Sequence, residues 1–186
     1  LVLKAGQGDR ADAPRLVRAP SVERNKRPTY ALSAEQLDKY QCEIDTDSGR
    51  KVTVASSNDA LTIEYGHGTF RLWPESDTRF IAEDSEDPVL FELGADGRVS
   101  KIWAEQLCYL EAAAAVKRGD LEAVLTWVRH ASDKFPESAR THFTLAKVLR
   151  GTGNPKEALR HVQKALDIDP AYKDARRLLT SLQLRR

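Results

Sequence analysis

The side chains able to do chemistry are scattered along this chain of 186 residues and form no catalytic set. Its four histidines, His67, His130, His142 and His161, fall in a turn and in helical segments. The spacing brings His142 and His161 together across one helical repeat, where a packed pair is expected rather than a metal site. The chain has no G-x-S-x-G nucleophile motif. With no base placed beside a nucleophile, the sequence predicts a protein without catalysis, metal or cofactor.

Other polar clusters are predicted to be turns. Glu75, Asp77 and Arg79 suit local hydrogen bonding in a turn better than a binding site. The acidic run 83–87 lacks the glycine and the spacing of a calcium loop, so it predicts a solvated hairpin tip. His67 lies between two glycines and is expected to be an exposed turn residue. None of these clusters predicts a reaction.

The net charge of +1 is the sum of segments that carry opposite net charges. Residues 1–31 carry a net charge of +4, residues 32–103 a net charge of −8, and residues 104–186 a net charge of +5. Opposite signs on adjacent segments favour docking within the molecule or a polarised surface. No segment has the dense basic stripe that nucleic-acid binding needs, and no apolar run is long enough to span a membrane.

Residues 1–29 and the two cysteines bear on how the chain is organised. Three proline breaks and many charges predict a linker or an extended arm over residues 1–29, which also fits the end of a missing upstream domain. A basic tail for nucleic acid is the alternative. Cys42 and Cys108 fall in different segments, and two separate buried thiols are favoured over a disulfide.

Residues 30–103 predict a small antiparallel β domain. It opens with a short helix capped by Ser33, with Gln36 three residues later as in a capping box. Short runs that alternate polar and apolar residues follow, separated by turn signals. They cover residues 51–55, 61–65, 69–73, 79–83, 89–93 and 99–103. Links this short imply an antiparallel meander that closes into a small barrel or a strongly curved sheet.

The stretches P-E-S-D-T-R-F at 74–80 and F-E-L-G-A-D-G-R-V at 91–99 carry a resemblance. With the segment L-D-K-Y at 37–40, they resemble the lipocalin-like β-barrel that follows the catalytic domain of β-lactamase-like serine hydrolases. The resemblance covers residues 32–103 and implies an accessory domain whose S-x-x-K nucleophile lies in another domain. No S-x-x-K nucleophile is expected in this chain, because lysine is absent from the third following place at five serines: Ser33, Ser76, Ser85, Ser132 and Ser138.

Residues 104–186 repeat with a period of 34 residues. Gly119 recurs as Gly153 and Pro136 as Pro170, which is typical of a helix–turn–helix repeat. Glycine and proline breaks predict helices over 104–118, 121–134, 138–150, 155–168 and 171–184. The second unit resembles the tetratricopeptide repeat at Leu145, Ala146, Leu149, Gly153, Asn154, Ala158, Leu159, Ala165, Leu166 and Pro170.

The first unit is the weaker match, because Cys108 and Glu111 stand where tryptophan and leucine are typical of this repeat. Its first helix is therefore expected to pack unusually, against the β domain. Two repeats and a final helix are few for independent stability, so docking on the β domain is expected to supply the missing cap. The fold class is α+β: a small antiparallel β-barrel or curved sheet (30–103), then two repeats and a capping helix (104–186).

The resemblance to this repeat implies a concave groove lined by the first helix of each unit. The expected groove residues are Gln106, Tyr109, Ala113, Lys117, Arg140, Phe143, Lys147 and Arg150. Basic side chains beside two aromatic rings suit an acidic peptide segment. The alternative is a groove filled by the chain's own arm or by a neighbouring molecule.

The function expected from these observations is a non-catalytic accessory module that binds a protein or peptide. The β-lactamase resemblance implies that it is the C-terminal part, or the partner, of such a hydrolase, with a periplasmic or cell-envelope location in a bacterium. A second candidate function is a carrier that holds a small apolar ligand inside the barrel.

Overall fold

The computed structural model describes residues 30–57, 60–66, 68–83, 85 and 87–184. A short helix is followed by seven strands and then by five helices. The first part comprises α1 (Ala34–Asp38), β1 (Cys42–Asp45), β2 (Lys51–Ser57), β3 (Ala60–Tyr65), β4 (Gly68–Pro74), β5 (Arg79–Ala82), β6 (Pro88–Leu93) and β7 (Val99–Ala104). The second part comprises α2 (Glu105–Arg118), α3 (Leu121–Lys134), α4 (Ala139–Gly151), α5 (Pro155–Ile168) and α6 (Lys173–Gln183).

The seven strands form one antiparallel sheet in the order β1-β2-β3-β4-β5-β6-β7, which curls into a near-closed barrel. Each strand pairs with the next, as in Val54 opposite Ile63 and Phe91 opposite Ile102. Because strand direction alternates and the number of strands is odd, β1 and β7 run parallel to each other. The predicted α+β fold with an antiparallel meander is confirmed.

The barrel interior is filled by the apolar residues of the alternating runs. Inward side chains come from every strand after β1, and α1 adds Leu37. At one end, the rings of Tyr40, Phe80 and Phe91 meet edge to face with centroids 5.0–5.4 Å apart. A bound apolar ligand would have to displace these packed side chains, so the interior favours a structural core over a carrier.

The start of α1 follows from its capping residues. The Ser33 hydroxyl accepts a hydrogen bond from the Gln36 backbone N–H, and the Gln36 side chain accepts one from the Ser33 backbone N–H. The predicted capping box is confirmed. Tyr40, just beyond the helix, donates its hydroxyl to the backbone carbonyl of Asp77 in the β4–β5 turn. This bond fixes α1 against that end of the barrel.

The five later helices pack as antiparallel neighbours around a second core. Gly119 ends α2 with a φ of +73°, which favours glycine, and the Asp120 carboxylate accepts from the Ala123 N–H at the start of α3. Small residues let the helices approach closely, since Ala146, Ala158 and Ala165 are fully buried. The predicted bounds of α3 and α5 match the structure. The last helix begins two residues later than predicted because residues 170–172 form a turn.

Helix α2 belongs to both halves of the molecule. It follows β7 without an intervening residue, and its Leu107 is buried in the barrel core. One turn later, the buried Glu111 carboxylate accepts from Thr46 Oγ1 (2.9 Å), Ser48 N (2.8 Å) and Ser48 Oγ (2.6 Å) in the β1–β2 hairpin. The expectation that the first helix of the repeats packs unusually against the β domain is confirmed.

A second contact joins β6 and β7 to α3. The buried indole of Trp103 packs with Cys108, Ala131 and Phe135 in a cluster of its own. Trp103 Nε1 donates to Glu92 Oε1 at 2.8 Å, and the Lys134 ammonium on α3 donates to the same carboxylate. Burying an indole requires a partner for its N–H, which Glu92 supplies. The two halves are therefore joined by apolar packing, by the buried Glu111 carboxylate and by the partly exposed contact between Lys134 and Glu92.

Several expectations fall outside the described residues: the arm over 1–29, the exposed turn at His67, and part of the acidic run 83–87. Among the described residues, Cys42 and Cys108 are unpaired thiols, the first half-buried and the second buried. None of the helices in the described ranges has the length and apolar content of a transmembrane span.

Candidate functional site

Helices α2, α4 and α6 line one surface of the repeats. The Arg140 guanidinium on α4 lies over the Tyr109 ring on α2, 4.7 Å from its centroid. On the other side of α4, the Phe143 ring meets the Tyr172 ring at the start of α6, with centroids 4.9 Å apart. Further along, Arg150 Nη1 donates to Ser181 Oγ of α6 at 3.2 Å. These contacts define the groove as the surface that the three helices share.

All the residues expected in the groove lie on the described helices. On α2, Gln106, Ala113 and Lys117 are exposed and Tyr109 is half-buried. Their spacing of three and four residues places them on one face of that helix. On α4, a similar spacing places the other four expected residues on one face: Arg140, Phe143, Lys147 and Arg150. Phe143 is half-buried and the other three are exposed.

The sequence interpretation missed the third wall of the groove. Tyr172 and Ser181 lie at the start of α6 and within it, and both contact groove residues of α4. The 34-residue period could have indicated that α6 contributes to the groove, because Ser181 follows Lys147 by 34 residues. The prediction gave α6 a capping role, and the structure shows that this helix also contacts groove residues of α4.

An ion pair between Arg140 and Glu105 lies beside Tyr109 at one end of the groove. Arg140 Nε lies 3.8 Å from Glu105 Oε1, and the Glu105 side chain is 14% exposed against 62% for Arg140. Burial, and then the nearby Glu105 carboxylate, raise the pKa of Tyr109 well above its ordinary value. The phenol therefore stays neutral, and Arg140 keeps a guanidinium face open to solvent.

The groove carries positive charge that the described residues do not neutralise. No carboxylate in the described part of the chain lies within ion-pair distance of Lys117, Lys147 or Arg150. The Lys147 ammonium lies 5.5 Å from the Phe143 ring centroid, where a cation is attracted by the ring. Exposed cations beside apolar rings can bind a carboxylate and an apolar side chain of the same ligand.

A polar network lies beneath the groove where α3, α4 and α5 meet. His142 Nδ1 is 3.2 Å from His161 Nδ1 and 2.9 Å from Ser132 Oγ, while His142 Nε2 is 3.0 Å from the Pro136 carbonyl oxygen. The two imidazole rings stack with centroids 5.4 Å apart. Burial, and then His142, lower the pKa of His161. The predicted packed pair is confirmed, and the pair fixes the backbone that carries Phe143.

The sequence interpretation also missed an S-x-x-K spacing, at Ser48-Gly49-Arg50-Lys51. The structure places it in the β1–β2 hairpin, with the Ser48 hydroxyl donating to Glu111. Lys51 Nζ pairs instead with Glu43 Oε2 at 2.9 Å on an exposed surface. The lysine is therefore committed to another carboxylate, and the spacing does not form a nucleophile and base pair.

The polar turn predicted at 75–79 is confirmed. Arg79 Nε donates to Glu75 Oε2 at 2.8 Å, and the Ser76 hydroxyl accepts from the Arg79 backbone N–H at 3.1 Å. Asp77 accepts a hydrogen bond from the Tyr30 hydroxyl. Within the residues that the structure describes, no group of three or more His, Cys, Asp or Glu side chains could hold a metal ion.

Comparison with known proteins identifies one repeat in the chain. Residues 139–172 match the tetratricopeptide repeat, which supports a protein-interaction module. No curated protein sequence matches the chain. A solved structure of the UNC-45 chaperone, described by its features for binding and folding muscle myosin, is similar at 22% identity over 43% of this chain, with a TM-score of 0.38. The chain spans 9% of the length of that protein's structure.

Proposed function

We propose that the protein is a non-catalytic interaction module whose groove on α2, α4 and α6 binds a peptide segment of a protein partner. The observation that carries the proposal is the groove itself. Its half-buried rings and exposed cations lie on three helices, one of which begins the tetratricopeptide repeat at 139–172. A row of helices of this kind offers a concave surface long enough for a peptide.

The proposed peptide is acidic. Lys117, Lys147 and Arg150 have no carboxylate partner within the described residues, so a ligand carboxylate can pair with them without breaking an existing ion pair. Arg140 is less available because Glu105 lies 3.8 Å away. Such surface charges raise the association rate and the selectivity of binding, and salt weakens their effect.

We propose further that the partner is a β-lactamase-like serine hydrolase, either upstream in the same polypeptide or separate from it. The sequence resemblance over residues 32–103 supports this proposal. The test is to purify the protein from its host and identify associated hydrolases by mass spectrometry. Hydrolase peptides belonging to the same polypeptide, or a separate hydrolase recovered with the wild-type protein but lost with a groove variant, would support the link. Recovery of other proteins alone would refute it.

The peptide-binding proposal can be tested with two double variants that remove equal charge. Lys147→Ala with Arg150→Ala alters the groove, whereas Arg160→Ala with Lys164→Ala alters exposed positions of α5 away from it. A library of random 12-residue peptides is selected on the full chain, and affinities for each variant are then measured by fluorescence anisotropy. Binding that only the groove variant weakens supports the proposal. Peptides that bind both variants equally well place the site elsewhere and overturn it.

A further inference from the structure

The groove changes character along its length. The period of 34 residues makes Tyr109 equivalent to Phe143 and Ala113 equivalent to Lys147, so equivalent residues lie at the same height on α2 and α4. Tyr109 is the fifth residue of α2, and Phe143 is the fifth residue of α4. Tyr172 is the N-cap of α6 and contacts Phe143. The three rings therefore gather at the end of the groove where the helices begin.

The unpaired cations Lys117 and Arg150 lie toward the opposite end, and the Lys147 ammonium reaches back to within 5.5 Å of the Phe143 ring centroid. Lys117 is in the last turn of α2, Arg150 is in the last turn of α4, and Lys147 lies one turn before it. Ala113 stands between Tyr109 and Lys117 with only a methyl group, which leaves room beside Lys147. The groove thus has an aromatic end and a cationic end, with no bulky side chain of α2 between them.

The separation of the two ends limits the ligand. From Phe143 to Lys147 and Arg150 is four to seven residues, and from Tyr109 to Lys117 is eight. At a rise of about 1.5 Å per helical residue, these spans are about 6 to 12 Å. An extended peptide advances about 3.3 Å per residue. A ligand that uses both ends therefore places its two groups about two to four residues apart.

A structural role for the cations is the competing explanation. Lysine and arginine in the last turn of a helix stabilise it through the helix dipole, and Lys117 and Arg150 qualify. Lys147 does not, because it lies before the last turn, and its ammonium is drawn to the Phe143 ring in the groove. Arg118 is in the last turn of α2 next to Lys117 but lies off the groove face, so it separates the two explanations.

We infer that the groove selects peptides in which an aromatic side chain lies two to four residues from a pair of carboxylates. This inference rests on the proposed function, because it specifies the ligand of the same groove. The aromatic ring packs among Tyr109, Phe143 and Tyr172, and the carboxylates pair with Lys117, Lys147 and Arg150. Neither group alone uses the whole surface.

The test uses three synthetic 12-residue peptides labelled with fluorescein and the full chain. The reference peptide has one tryptophan three residues from a Glu-Glu pair. The second replaces both glutamates by glutamine, and the third moves the pair eight residues from the tryptophan. We expect the reference peptide to bind about tenfold or more tightly than either of the others, because it alone satisfies both ends.

Variants of the protein test which surface recognises the glutamates of the peptide. Lys147→Ala with Arg150→Ala is expected to remove the preference for glutamate over glutamine, whereas Arg118→Ala is expected to preserve it. If the glutamine peptide or the wide-spaced peptide binds as tightly as the reference, the inference is overturned and the groove remains a peptide site. If the random peptide library also yields no peptide whose binding is weakened in the groove variant, both the inference and the proposed function are wrong. Circular dichroism spectra check that each variant is folded.

Discussion

Replacing Glu111 by alanine tests the junction between the barrel and the repeats. The Glu111 side chain is buried, and its carboxylate accepts three hydrogen bonds from Thr46 and Ser48. A hydrogen bond to a charged group contributes about 1.5–3 kcal/mol, so three of them set an upper limit of about 9 kcal/mol. Burying the carboxylate costs several kcal/mol, and the freed Thr46 and Ser48 groups are half-exposed and regain water.

The expected loss in the free energy of unfolding is therefore about 2–4 kcal/mol, a large part of the stability of a typical domain. Urea unfolding followed by tryptophan fluorescence measures it, because Trp103 and Trp127 lie at the contact between β7 and α3. Glu137→Ala is the control, since Glu137 is exposed between α3 and α4 and makes no described hydrogen bond. That change is expected to cost less than about 0.5 kcal/mol.

A double-mutant cycle isolates the contact itself. Ser48→Ala removes the shortest of the three bonds, and its effect should largely disappear when Glu111 is already alanine. The expected coupling free energy is about 1–2 kcal/mol. A loss for Glu111→Ala no larger than that of the control, or additive effects in the cycle, would refute the claim that this carboxylate stabilises the junction.

Three further predictions concern a glycine, a histidine and a thiol. Gly119→Ala should destabilise the protein by about 1 kcal/mol because φ is +73°, whereas Gly151→Ala, inside α4 with free space around it, should stabilise it slightly in the same urea assay. The lowered pKa of His161 means that the unfolded chain binds this proton more tightly. The contribution of His161 to the free energy of unfolding should therefore be fully present above about pH 6.5 and fall by at most about 1.4 kcal/mol per pH unit below it. In urea midpoints measured from pH 5 to 7.5, His161→Gln should reduce this dependence on pH. Burial raises the pKa of Cys108 to about 12, so a disulfide reagent at pH 8 should modify it only after unfolding, and rapid modification in the native state would contradict its placement.

Local sequence signals predicted most of the fold. Glycine and proline mark the ends of the helices, so the predicted and observed bounds agree for α3 and α5. Alternating runs located the strands, but their ends depend on pairing that the pattern does not encode. For example, β2 extends to Ser57 because that residue pairs with Ala60. The helix period also placed the expected groove residues of α2 and α4 on two neighbouring helices.

Contacts between distant residues were beyond the sequence patterns. Glu111 and Ser48 are 63 residues apart, and a glutamate inside a helical repeat gave only the expectation of unusual packing. Tyr172 precedes the last helix, where a capping role concealed its contact with Phe143. In both places the side chain's role is set by a neighbour brought in by tertiary structure, and no periodicity reports it.

Because β7 continues directly into α2, the barrel and the helical repeats keep a fixed orientation relative to each other. No linker separates Ala104 from Glu105, and hydrogen bonds from Ser48 to Glu111 and from Lys134 to Glu92 cross the junction, so the two halves have no hinge between them. A partner that touched the barrel while its peptide lay in the groove would meet both surfaces at a set distance and angle. The second contact would then form without the loss of freedom that a tethered pair of domains suffers, so two weak contacts would combine into strong binding.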